Sequence, residues 1–160
     1  MRKYLEARGL VLDTSVLVEY IVERAPYRRL VERIFEDAGS GVPRLYVSPI
    51  TLSETLYIAS RIYAAASLPD PNSAALDYIY WLRSRAELVN IDEEIMLRAG
   101  ELKKSLHIAM PDCYVIATAE RVGARPLFKK LEREMKPARN ELKKLGVLFL
   151  EDLPEDPPLR

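Results

Sequence analysis

The chain has 160 residues, 49% apolar and 30% charged, with a formal net charge of zero; this suits one domain around one core and excludes a disordered chain. One cysteine, Cys113, and one histidine, His107, exclude an intramolecular disulfide, a cysteine zinc cluster and a histidine pair. No apolar run nears the roughly 20 residues of a membrane-spanning helix, and "MRKYLEARGLVL" is too charged for a signal peptide, so the expectation is a cytoplasmic protein with no membrane partner.

Residues 10–13 read as a short buried strand ending at Asp13, inside the apolar stretch "GLVLDTSVLVEY". A carboxylate between two runs meant for burial is costly unless something pairs with it. Helical spacing then covers about 15–24 and 27–38, with Pro26 between. "GSGVP" (39–43) is a loop, "RLYVS" (44–48) a strand, and Ser48-Pro49 an N-cap and first-turn pair for a helix over 50–66. "LPDPNS" opens a helix over about 73–85, "AELVNI" reads as a strand, and Asp92 caps a helix over about 93–106. Pro111 begins a helix that stops at Gly123, and "RPLF" (125–128) is a short strand. A basic helical stretch interrupted at Pro137, a last strand in "GVLFLED" and an extended tail over 151–160 complete the chain.

Short strands alternating with helices predict an α/β fold, a three-layer α/β/α sandwich around a short, mainly parallel sheet. Sites in such folds form at the carboxyl ends of strands, where Asp13 lies. Other acids read ambiguously. Asp13 itself suits turn formation and capping, with Ser15 as a rival cap. On "ITLSETLYIASRIY", positions 52, 56, 59 and 63 form the main apolar stripe. Glu54 falls on the other side with Ile50, Tyr57, Ile58 and Arg61, as a solvated residue or in a partly buried wall. Asp112 sits in the first turn of "PDCYVIATAERVG", where the helix dipole favours it by about 0.3–1 kcal/mol. Cys113 reads as a small buried residue and His107 as surface or core. Residues 121–146 hold nine Lys/Arg against three Glu, a segment that either faces phosphates or forms a solvated helix surface. The absence of glutamine, with three asparagines and abundant charge, points to a thermophilic source.

Taken together, three segments resemble the PIN domain, and within it the VapC-type toxins of toxin–antitoxin pairs. "VLDTSVLVEY" looks like the opening strand with its Asp, "VSPITLSETLYI" like the second strand and the helix carrying a Glu, and "MPDCYVIATAERVGA" like the helix opened by an Asp. The resemblance spans about residues 10–150 of a single domain. One departure stands out. Where the family often places a further Asp after the next strand, "GARPLFKKLERE" has Lys130, with Glu132 and Glu134 close behind as possible substitutes.

The resemblance implies that Asp13, Glu54 and Asp112 converge as catalytic, metal-binding carboxylates. Oxygen-only ligands suit Mg²⁺ or Mn²⁺, which would activate water for hydrolysis of an RNA phosphodiester. It assigns Thr14 and Ser15 to orienting those carboxylates, and Lys129 and Lys130 to the RNA backbone. The implied partners are RNA, a cognate antitoxin and a second copy of the chain. The alternative is a PIN-like module that binds RNA or protein without cleaving. Haloacid-dehalogenase-type phosphatases also begin this way but need a second Asp where Ser15 stands.

Overall fold

A computed structural model describes residues 3–154. Five parallel strands form one sheet in the order β3-β2-β1-β4-β5: β1 (Gly9–Leu12), β2 (Arg44–Val47), β3 (Glu87–Leu88), β4 (Arg125–Phe128) and β5 (Leu148–Phe149). The seven α-helices among the described residues are α1 (Thr14–Ile21), α2 (Arg28–Gly39), α3 (Pro49–Ala65), α4 (Pro71–Arg85), α5 (Glu93–Leu106), α6 (Met110–Val122) and α7 (Arg139–Lys144). The expected α/β sandwich is therefore present, and its sheet is entirely parallel.

Strand alternation builds the layers. Leu10 and Leu12 of β1, with Leu45, Val47 and Leu127, pack into a core with α1, α2, α3 and α4. Val11, Tyr46 and Phe128 point the other way, into a core with α5, α6 and α7. Side chains of successive strand residues face opposite sides, so both faces of β1 are covered and all four of its residues are buried. Gly9 has a close-approach role: a Cβ there would lie 2.8 Å from the Tyr46 ring.

Several boundaries differ from the sequence expectation. The strand read into residues 86–91 contracts to Glu87–Leu88, and the last one to Leu148–Phe149 followed by a 3-10 turn over Leu150–Asp152. β3 and β5 are edge strands, hydrogen-bonded on one side only, and an apolar run reports burial rather than a pairing partner. The basic stretch before β5 is a 3-10 helix (Arg133–Ala138) that contains Pro137, followed directly by the short α7, so the interruption expected at Pro137 falls between Ala138 and Arg139. A 3-10 turn over Lys3–Glu6 precedes β1. Of the tail expected to be extended, 151–152 belong to the 3-10 turn and 155–160 lie outside the described residues.

This order puts β1 in the centre, with β2 on one side and β4 on the other. The chain leaves β1 in opposite directions, and the crevice at that reversal is where open α/β sheets place their sites.

Candidate active site

Three helix starts gather at the carboxyl edge of the sheet, and each brings one acid. Asp13 follows β1 and caps α1 from an extended backbone (φ −78°, ψ 158°). Its N–H continues the ladder to the Leu127 carbonyl at 3.0 Å, so it stands beside the end of β4. Its Oδ2 accepts from the Ser15 N–H at 3.0 Å and from Ser15 Oγ at 2.6 Å. Capping and the implied site role thus coincide in one side chain, and Ser15 serves Asp13 rather than competing with it.

Ser48 ends β2 and caps α3, accepting from the Thr51 N–H at 3.1 Å, with Pro49 in the first turn. Ser48, Thr51 and Thr55 are buried, which fixes the helix's rotation. Glu54 consequently faces α1, and its Oε1 accepts from Thr14 Oγ1 at 3.2 Å. Glu54 itself is half-buried, as are Ile50 and Ile58 on the same side of α3, whereas Tyr57 stands exposed. Asp112 lies in the first turn of α6, which packs near α3.

The electrostatics show that these acids share one region. Burial raises Asp13, against the lowering effect of its Ser15 hydrogen bonds, and Glu132 adds repulsion. Burial also raises Glu54, with Thr14 opposing and Asp13 adding repulsion. Asp112 is pushed up to about 7, first by burial and then by Asp13, Glu134, Glu54 and Glu132. After burial, the four charges that raise Asp112 most are all acidic. Such an all-carboxylate set fits a hard dication by its donor chemistry. Among the described residues no group of three or more Asp, Glu, His or Cys side chains is arranged so that it could hold a metal ion as it stands.

The other candidates divide. Glu132 and Glu134 are exposed but act electrostatically on Asp112. Lys130 is exposed. Lys129 is engaged: its ammonium pairs with Glu19 Oε1 at 2.6 Å, and its backbone N–H donates to Ser15 Oγ at 3.0 Å. Glu19 was not among the sequence candidates, and its signal was an acid inside the apolar run "SVLVEY". Cys113 is fully buried, and burial lifts its thiol to about 11, so it stays protonated and unreactive. His107 is exposed at the end of α5, in a left-handed conformation.

The PIN domain family model matches residues 10–134. The chain belongs to the PIN domain family. Solved structures carry the same fold. Mycobacterium tuberculosis VapC20, described as a sarcin-ricin loop cleaving toxin, aligns with a TM-score of 0.64 at 14% identity, over 91% of this chain and 99% of that one. VapBC-1 from nontypeable Haemophilus influenzae aligns at 0.60 and 18%, over 90% and 99%. VapBC2 from Rickettsia felis, bound to a promoter DNA fragment, aligns at 0.59 and 18%, over 81% and 92%. A comparison with curated proteins gave no match. Within this PIN domain, Asp13 follows β1 as the cap of α1, Glu54 lies in the second turn of α3 and Asp112 in the first turn of α6.

Proposed function

We propose that this PIN domain is a metal-dependent endoribonuclease, the toxin of a toxin–antitoxin pair. The observation that carries the reading is Asp112, a carboxyl lifted to about 7 by burial and by four other acids. Carboxylates that repel one another in a half-buried site are poorly placed until a cation neutralises them. Asp13, Glu54 and Asp112 would hold Mg²⁺ or Mn²⁺, with Glu132 and Glu134 as the acids available where the family's further Asp is replaced by Lys130. When bound, such an ion lowers the pKa of a water and stabilises charge on phosphoryl oxygens.

The chain's own groups prepare the site. Ser15 donates twice to Asp13 Oδ2, through N–H and Oγ, and so fixes how the carboxylate is turned. Thr14 Oγ1 holds one oxygen of Glu54 and so fixes its rotamer. These hydrogen bonds restrain the carboxylates before any substrate arrives, which is how supporting residues tune metal sites.

The likeness to the VapBC proteins of Rickettsia felis and Haemophilus influenzae supports an antitoxin partner for this chain. Exposed Tyr57 on α3 and Tyr80 on α4, at 61% and 68%, offer surface for it or for a second copy, whereas Tyr78 and Leu82 of "LDYIYWL" belong to the core. No helix among the described residues is long and apolar enough to cross a membrane, in keeping with a cytoplasmic site of action.

Asp13→Asn tests the reading. It keeps the cap geometry, so the domain should remain folded while Mg²⁺-dependent RNA cleavage is abolished. Wild-type activity persisting in the variant or in EDTA would sink the mechanism. Lys130 favours the rival, a PIN-like domain that binds without cleaving. A folded wild-type chain whose melting temperature does not respond to Mn²⁺ would support that rival.

A further inference from the structure

Glu19 lies in α1 with 3% of its surface exposed. Its Oε1 accepts from the Lys129 ammonium at 2.6 Å, and its Oε2 from the Tyr27 backbone N–H at 2.9 Å. Burying Glu19 costs desolvation that its attraction to the half-buried Lys129 ammonium offsets only in part. Val16 and Leu17 of the same helix are fully buried, so the acid at position 19 is set among core side chains, and its contact with the Tyr27 N–H accounts for only one of its oxygens. The far end of the pair supplies another reason for the acid.

Lys129 is the first residue beyond β4. Its backbone N–H donates to Ser15 Oγ at 3.0 Å, and that Oγ donates to Asp13 Oδ2 at 2.6 Å. An amide N–H can only donate, so it occupies a lone pair of the hydroxyl and leaves the hydroxyl proton for Asp13. Lys129 is thus held at both ends: its ammonium by Glu19, its amide by the group that orients Asp13. We propose that Glu19 is a positioning residue of the active site, gripping Lys129 so that its amide holds Ser15 and Ser15 holds Asp13. The inference rests on Asp13 being a metal ligand, and it assigns the Lys129 ammonium to Glu19 rather than to RNA.

Three measurements on the full chain test it with Glu19→Gln and Lys129→Met. In metal-free protein, exchange of the residue-129 amide hydrogen should quicken about tenfold or more in both variants. Mn²⁺ affinity by calorimetry should weaken about 10–100-fold. In RNA cleavage kcat should fall with KM held within about twofold, and the double variant should be no worse than the worse single one, since both act through one contact. If Glu19→Gln does not fold, the double variant, which leaves neither charge buried, carries the same measurements. An unchanged amide exchange rate overturns the proposal, as does a released amide with wild-type Mn²⁺ affinity. A Lys129→Met variant changed only in KM also overturns it. A wild-type chain that takes up no Mn²⁺ defeats the metal reading instead, and amide exchange then still decides whether Glu19 clamps Lys129.

Discussion

Asp112 is a carboxyl whose charge changes near neutral pH, and two pH effects follow from it. Burial and the charges of Asp13, Glu134, Glu54 and Glu132 raise it from 3.8 to about 7. The folded chain therefore binds this proton more tightly than the unfolded chain, so the associated stability is present below about pH 4 and lost as pH rises through about 7. Asp13 and Glu54 are raised too and act in the same direction. In EDTA, the melting temperature should fall between pH 5 and pH 8, and Asp112→Asn should flatten that fall. A variant keeping the wild-type slope would show that Asp112 is not its source. Protons also compete with the metal for the same oxygens. Mn²⁺ affinity of the wild type should therefore weaken, by up to about tenfold per pH unit, as pH drops below 7. Calorimetry at pH 8, 7 and 6 measures this directly.

Asp13 is itself a cap, Asp112 sits in the first turn of α6 and Glu54 in the second turn of α3, so the caps matter to the site as much as to the fold. Ser48 is fully buried; its Oγ accepts from the Thr51 N–H and donates to Thr51 Oγ1, both at 3.1 Å. Ser48→Ala should destabilise the domain by about 0.5–2 kcal/mol, towards the upper end because the orphaned Thr51 N–H is buried. Urea denaturation reads the cost, and a loss under about 0.3 kcal/mol would show that water replaces the cap. Signals of this kind made much of the fold legible. Ser48-Pro49, Asp92 and Gly123 set the limits of α3, α5 and α6 to within about a residue or two. The edge strands were less legible, since the apolar runs around 86–91 and 146–152 carry no sign of where pairing stops. Asp13, Glu54 and Asp112 could be grouped because their order and separation match a known pattern. Glu19 could not be, because its partner Lys129 lies far along the chain and only the β1–β4 pairing brings the two segments together. The acids at 132 and 134 were visible as residues, but their influence on Asp112 depends on how the segment after β4 turns.

At the scale of the molecule, charge is divided unevenly, and the structure sorts the basic segment by availability. Arg121 pairs with Asp92 and Glu94 across α5 and α6, Arg125 Nε donates to the Gly146 carbonyl, and Lys129 is gripped by Glu19. Lys130, Arg133, Lys136, Arg139 and Lys143 are exposed in the segment that follows β4, close in sequence to the acids that bear on Asp112. A phosphate backbone entering the site would meet these groups, and each contact releases a counterion from the RNA. KM for RNA should accordingly rise with salt. Lys130→Ala should raise KM at low salt and reduce the log–log salt slope by about 0.7 for a single-stranded substrate, with kcat preserved. Lys129→Met should show the opposite split, a lower kcat with the salt slope unchanged, because its ammonium is committed inside the protein. Steady-state cleavage at three or four salt concentrations separates the two neighbours. Identical salt slopes for both variants and the wild type would place the RNA backbone elsewhere on the surface.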